Sequence, residues 1–222
     1  MNILFHFLLF TKMHRYLHGF HNIRSVRNVK FLRICNHSSQ FNLDDYLIRI
    51  ESNIQKIMAR KTVTKYKYID ILEPATQNIK NPEILRTKQT QMKYGEIWQM
   101  VLGEYDGFEN LKQGHNTGLD ILSTRRKVII ELKNRYNTDN ASSRKTNLDK
   151  LAKYKREHPD YECIYGVIND KTREGQIKSI RYSDDVEITY LSGMKLLDYC
   201  LEKNTEPILD LVKRIVNNYR QY

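Results

Sequence analysis

Two acidic residues and a lysine lie at short spacings in the middle of the 222-residue chain: Asp120, Glu131 and Lys133. Glu131 and Lys133 belong to a run rich in Ile and Val (KVIIELK, residues 127–133), which is typical of a strand. Residues two apart on a strand project to the same face. The carboxylate and the ammonium group should therefore meet on one side of a sheet.

A hairpin would bring Asp120 to the same place. If residues 125 and 126 form a two-residue turn, Thr124 faces Lys127, the numbers of paired residues sum to 251, and Asp120 lies opposite Glu131. Residues opposed on one face of an antiparallel pair have Cβ atoms about 5 Å apart. Arg-Arg is not a favoured two-residue turn, so a register shifted by one residue is the alternative.

Two carboxylates at this separation can share a divalent cation. Mg²⁺ takes oxygen ligands and keeps several waters, and beside a phosphodiester it polarises the phosphoryl oxygen and favours hydroxide. A neighbouring lysine can orient or deprotonate the attacking water and stabilise the developing charge. The alternative is an ordinary solvated Glu/Lys face, since a strand of this composition also arises by chance.

The surrounding patterns alternate between helix and strand, which predicts an α/β fold: a central mixed sheet of four to five strands flanked by helices, with helical N-terminal additions. Strands are predicted at residues 119–124, 127–133, 161–168, 177–182 and 186–191. Helices are predicted at residues 43–60 with Asn42 as cap, from Pro82 briefly, at residues 93–102, between a cap at Asn147 and Pro159, at residues 192–201, and from Pro207 onward.

Charge divides the chain unevenly. The formal net charge is +11, from 37 Lys and Arg against 26 Asp and Glu, and residues 1–43 contribute +6 of it without any acid. We therefore separate a basic N-terminal arm, residues 1–42, from a single domain, residues 43–222, with its catalytic core at about 90–200. The arm fits an organelle transit peptide, a secretory signal or an accessory segment. A basic chain of this kind suits a polyanionic partner.

Several classes are disfavoured. No apolar run approaches the ~20 residues of a membrane span, and no Gly-rich phosphate loop of the Walker type is present. The three cysteines (Cys35, Cys163 and Cys200) have no paired spacing, so neither a disulfide framework nor a zinc knuckle is expected. A cytoplasmic or other intracellular location fits best.

Three stretches together carry a family resemblance: GLDILS (residues 118–123), IIELKN (129–134) and NTDNASSRK (137–145). They resemble the core of type II restriction endonucleases of the PD-(D/E)xK nuclease superfamily, nearest to enzymes that cut GGNCC- or GGWCC-type sites. Asp120, Glu131 and Lys133 match the motif, and Leu119 stands where the motif usually has Pro. Many members add a helical Glu to the metal site; Glu96 in KYGEIWQM is the first candidate and Glu104 the second.

The resemblance implies Mg²⁺-dependent, sequence-specific cleavage of double-stranded DNA that leaves a 5′-phosphate. Asp120, Glu131 and Glu96 would bind metal, and Lys133 would act on the water. A homodimer is expected because a two-fold protein matches a palindromic site. Two alternatives stay open: a repair or junction-resolving nuclease on the same fold, and a non-catalytic DNA-binding module.

The polar loop after the second strand supplies candidate DNA contacts. Asn reads adenine edges and Arg or Lys reads guanine edges, whereas Ser and Lys more often bind phosphate. The candidates are Asn134, Arg135, Asn137, Asn140, Ser142, Ser143, Arg144 and Lys145. The following helix carries Lys150, Lys153, Lys155 and Arg156, which fit either a DNA-facing or a solvated surface.

Overall fold

The computed structural model describes residues 41–61 and 82–220, except 113 and 184, and leaves out the side chains of residues 82–85 and 220. Its helices are α1 (Leu43–Ala59), α2 (Pro82–Gly103), α3 (Ala141–Glu157), α4 (Gly193–Leu201) and α5 (Thr205–Arg220). Its strands are β1 (Glu109–Asn110), β2 (Ile121–Ser123), β3 (Val128–Arg135), β4 (Glu162–Asn169), β5 (Ile177–Ser183) and β6 (Val186–Ser192).

These strands form one mixed sheet in the order β1-β2-β3-β4-β6-β5. The central pairs, β3 with β4 and β4 with β6, are parallel, and the outer pairs are antiparallel. The described sheet thus has six strands, so the predicted four to five is wrong. The additional strand, β1, spans two residues, and a strand this short has no visible alternation of polar and apolar residues.

The predicted start of α1 is confirmed. The Asn42 side chain accepts hydrogen bonds from the backbone N–H groups of Asp44 and Asp45, at 2.9 and 3.4 Å. An Asn at this position satisfies donors that have no partner within the helix. The buried side of α1 includes Ile50 and Ile54, both fully buried, which is the apolar stripe that the sequence pattern indicates.

Helices cover both faces of β3, and its side chains alternate between them. Ile130 and Leu132 pack in the larger core with residues of α1, α2, α4 and α5. Ile129 packs in a second core with residues of α3. Because side chains alternate along a strand, Glu131 and Lys133 share the face of Ile129. The candidate site therefore lies on the α3 side of the sheet.

Two helix predictions need correction. The segments predicted from Pro82 and at residues 93–102 are one continuous helix, α2; low local hydrophobicity obscured the connection. The N-cap of α3 is Asn140, whose Oδ1 accepts from the Ser143 N–H at 2.8 Å, and not Asn147. Asn147 is instead buried within the helix. Both residues are sound cap types, so residue preference alone did not separate them.

Residues 1–40, and with them the interpretations of the basic arm, lie outside the described residues. In the described part, no helix has the length and apolar character needed to cross a membrane.

Candidate nuclease site

The predicted hairpin register is confirmed. Ile121 pairs with Ile130, Leu122 with Ile129, and Ser123 with Val128, so the partner numbers sum to 251. The strands are joined by a turn of residues 124–127, in which Lys127 takes a positive φ of 54°.

Asp120 lies just before β2, at the point where the regular pairing ends. Its N–H donates to the Ile130 carbonyl at 3.1 Å, and its Oδ2 accepts from the Leu132 N–H at 2.8 Å. The first bond fixes the Asp120 backbone against β3, and the second fixes its carboxyl group there. Burial raises the pKa of Asp120, although the Leu132 N–H and the charges of Lys133 and Lys150 oppose that rise.

Glu131 is the most unusual carboxylate of the site. The residue is only 4% exposed. Its Oε1 accepts from Lys133 Nζ at 2.7 Å, while its buried Oε2 has no hydrogen-bond partner among the described residues. Burial raises the Glu131 pKa, and repulsion from Asp120 raises it further, against the opposing effects of Lys133 and Lys150. A buried carboxylate oxygen without a donor is destabilising unless a cation binds it.

Lys133 is held as an ammonium group. Burial acts to lower its pKa, but the hydrogen bond and charge of Glu131, with the charges of Asp139 and Asp120, outweigh burial and raise it. Its Nζ also lies 3.8 Å from Asp139 Oδ1. In this arrangement Lys133 is suited to donate hydrogen bonds and stabilise negative charge.

Asp139 completes this network and was missed as a site residue. Its Oδ2 accepts from the Tyr165 hydroxyl at 2.6 Å and from Asn147 Nδ2 at 2.8 Å. Tyr165 is the β4 residue that pairs with Glu131 in the parallel register. The sequence indicates two buried strands but not how they align, so it offered no signal that Tyr165 and Asp139 would meet beside Lys133.

The donor set fits a hard divalent cation. Asp120 and Glu131 offer carboxylate oxygens on one side of β3, and Glu131 Oε2 is not used by any described donor. Within the described ranges, no three or more His, Cys, Asp or Glu residues are grouped so that they could hold a metal ion together, so the protein would supply two carboxylates. A divalent cation that binds through one or two carboxylates and completes its coordination with water and substrate oxygens would suit such a donor set.

The structure does not bring Glu96 to this cluster. Glu96 forms an ion pair with Arg60, at 2.7 Å, and is close to half exposed. It lines a cavity of about 790 Å³ together with Leu132 and Asn134, which alternate along β3 with the site residues and so face the other side of the sheet. Glu104 pairs with Arg49 instead, at 3.3 Å.

The candidate DNA contacts separate into internal and outward-facing groups. Asn134 donates to Gln91 and accepts from Asn169, and Asn140 caps α3, so both amides serve the fold. Arg144 is exposed, with its guanidinium over the Tyr165 ring at 5.5 Å. The other exposed candidates are Arg135, Asn137, Ser142, Ser143 and Lys145.

Comparison with known families gives a match that spans the described sheet. The model of the family described as Eco47II restriction endonuclease matches residues 66–198, more than half of the 222 residues. That range contains Asp120, Glu131, Lys133 and Asp139. A search of curated proteins found no match.

Proposed function

Because the chain belongs to the Eco47II restriction endonuclease family, and is therefore a type II site-specific deoxyribonuclease, we propose that Asp120 and Glu131 hold the Mg²⁺ ion used in cleavage. The observation that carries this proposal is the buried Glu131 Oε2, which has no described hydrogen-bond partner. A cation is the natural partner of two neighbouring carboxylates whose pKa values are both raised.

The position of each side chain would decide its role in cleavage. Bound at the two carboxylates, Mg²⁺ would supply charge stabilisation at the phosphoryl oxygen and a more acidic water. Lys133, fixed at 2.7 Å from Glu131 Oε1, would orient the attacking water and stabilise the charge that develops on the phosphate. Water attacks phosphorus, the bond from phosphorus to the 3′-oxygen breaks, and the products are a 5′-phosphate and a 3′-hydroxyl.

DNA would approach across the surface that carries the exposed candidates Arg135, Asn137, Arg144 and Lys145. Their charges and amides suit phosphate and base-edge contacts. We assign the site to the PD-(D/E)xK type and propose a GGNCC- or GGWCC-like target, on the motif resemblance. A homodimer would match the two-fold symmetry of such a target, and an intracellular location would suit its activity.

Digestion of a sequenced plasmid tests this proposal directly. Wild type, Glu131→Ala and Lys133→Ala would be incubated with Mg²⁺ or with EDTA, and the fragment ends would be mapped. Discrete fragments with 5′-phosphates, formed only by wild type and only with Mg²⁺, are expected. Glu157→Ala is a matched control, because Glu157 is exposed at the end of α3 and weakly paired with Lys153.

Three results would contradict the proposal. Cleavage at the wild-type rate by either site variant would remove its catalytic assignment, and cleavage in EDTA would remove the metal. Preference for nicked or branched DNA over plain plasmid would favour a repair or junction-resolving enzyme.

A further inference from the structure

Lys150 stands apart from the three basic residues that follow it in α3. Lys153 is exposed and pairs with Glu157. Lys155 donates to the carbonyls of Pro159 and Tyr161, and Arg156 pairs with Asp185. Lys150 instead donates to the Gly118 carbonyl, with Nζ to O at 3.0 Å. Its side chain therefore reaches the segment that leads into Asp120.

Two further observations place this ammonium group at the carboxylate pair. Gly118 has a φ of +62°, and a Cβ built on it would lie 3.3 Å from Lys150 Cε, so the lysine stem packs along the glycine backbone. The positive charge of Lys150 also interacts electrostatically with the carboxylates of both Asp120 and Glu131. Lys150 thus supplies a second cation beside the site, from a different element than Lys133.

On the basis of the proposed function, we propose that Lys150 is a further catalytic residue that binds the phosphate group being cleaved. A lysine ammonium group has three donors. The Gly118 carbonyl takes one of them, and the side chain is only partly buried, so the other donors remain available to a phosphodiester oxygen. Lys133, in contrast, forms an ion pair with Glu131, with Nζ 2.7 Å from Oε1, and also lies near Asp139.

These contacts give the two lysines different roles. Lys133 is fixed between acidic groups, whereas Lys150 is fixed by one neutral carbonyl and keeps its charge available. As charge accumulates on the phosphoryl oxygens, a preorganised ammonium group in a partly water-excluded site stabilises it. The glycine at position 118 permits this placement, since a side chain there would crowd the lysine stem and adopt a strained positive φ.

The test compares Lys150→Gln with Lys150→Arg and with the control Lys153→Gln. Glutamine retains a donor for the Gly118 carbonyl but lacks the charge, and arginine retains the charge. Single-turnover cleavage of a preformed complex should fall about 10²-fold in Lys150→Gln, and Lys150→Arg should recover part of that loss. Lys153→Gln should cleave at the wild-type rate, and all three variants should keep the wild-type Tm within a few degrees.

Binding gives a readout that does not depend on cleavage. A duplex carrying the mapped site, with the scissile phosphates as native or as uncharged methylphosphonate groups, would be titrated in Ca²⁺. Lys150→Gln should weaken binding of the native duplex, lower its salt dependence by about one phosphate contact, and match wild type on the methylphosphonate duplex.

The outcomes separate the two proposals. Lack of Mg²⁺-dependent cleavage by wild type would overturn the proposed function. With wild type active, an unchanged cleavage rate in Lys150→Gln would overturn the role of Lys150, as would a rate loss matched by a fall in Tm. A binding difference that persists on the methylphosphonate duplex would also overturn it, because the lysine would then contact another phosphate.

Discussion

Two carboxylates on neighbouring parts of the sheet have opposite environments. Asp170 follows β4, and four described donors serve its oxygens: the hydroxyls of Ser192 and Tyr190, the Gln176 amide and the Lys171 N–H. Burial acts to raise its pKa, but these bonds, that of Ser192 first, outweigh burial and lower it. Glu131, on the adjacent strand β3, keeps one buried oxygen without a described partner and has a raised pKa.

The difference indicates what each carboxylate contributes. Asp170 connects the segment after β4 to the end of β6, and its charge is compensated within the fold. Among the described residues, Glu131 accepts a side-chain hydrogen bond from Lys133 alone, and at one oxygen only. Folding alone would favour a neutral or apolar residue at such a position. Asp170 is therefore expected to act on stability, and Glu131 on metal binding and cleavage.

The largest effect is expected from Glu131→Gln. This change should reduce Mg²⁺-dependent cleavage by at least about 10³-fold, since a ligand of the ion and the partner of Lys133 are lost together. Its Tm in EDTA should be no lower than that of wild type, because the buried charge is removed. Added Mg²⁺ should raise the Tm of wild type, as a ligand of the native state does, but not that of the variant. If Mg²⁺ also raises the Tm of Glu131→Gln, Glu131 is not needed for metal binding, and its contrast with Asp170 is lost.

Lys133→Met should have the next largest effect. We expect a loss of about 10²- to 10³-fold in the single-turnover rate, the usual range for removal of one charge-stabilising donor. The carboxylates remain, so the thermal shift caused by Mg²⁺ should persist. A variant that loses its cleavage and its thermal shift together would instead make Lys133 part of metal binding.

Local sequence patterns predicted the hairpin of β2 and β3 well. A two-residue turn at residues 125 and 126 predicts the partner sum of 251 that the strands show, and with it the approach of Asp120 to Glu131. The Asn42 cap was also a local feature. The positions of these residues depend on their near neighbours in the chain, so a single sequence is enough to predict them.

What the sequence did not predict depends on long-range packing. The parallel register of β3 and β4 places Tyr165 beside Glu131, and no turn connects those strands to indicate it. Asp139 and Lys150 acquire their positions only when α3 packs on the sheet. Glu96 fits the helical position expected from the resemblance, but α2 lies on the face that carries Ile130 and Leu132.

Asp170→Asn should affect stability more than cleavage. The neutral amide weakens charge-assisted hydrogen bonds, so the free energy of unfolding should fall by about 2–3 kcal/mol at pH 7. Cleavage at a temperature well below the Tm should stay within a few-fold of wild type. Asp170 has a lowered pKa, so its stabilisation is present above the ordinary value of 3.8 and is lost as pH falls through the lower folded value.

Denaturant titrations of wild type and Asp170→Asn across acidic pH would check that this stabilisation is lost as the pH falls. The difference between wild type and Asp170→Asn should be complete at neutral pH and should shrink below pH 3.8. A difference that grows on acidification would mean that the Asp170 pKa is raised, as that of Glu131 is, and the two carboxylates would no longer be opposites.

Ser192→Ala is expected to have the smallest effect. It measures how much one hydroxyl donor contributes to the stabilisation of the Asp170 carboxylate. The Ser192 hydroxyl donates to Asp170 Oδ2 at 2.5 Å and accepts from the Gln176 N–H at 3.0 Å, so its loss should lower the free energy of unfolding by about 1–2 kcal/mol. In a double-mutant cycle with Asp170→Asn, a coupling energy of about 0.5–1.5 kcal/mol is expected for groups in contact. Additive effects would show that the Ser192 bond contributes little to the compensation of Asp170, whose charge would then rest on Gln176, Tyr190 and the Lys171 N–H.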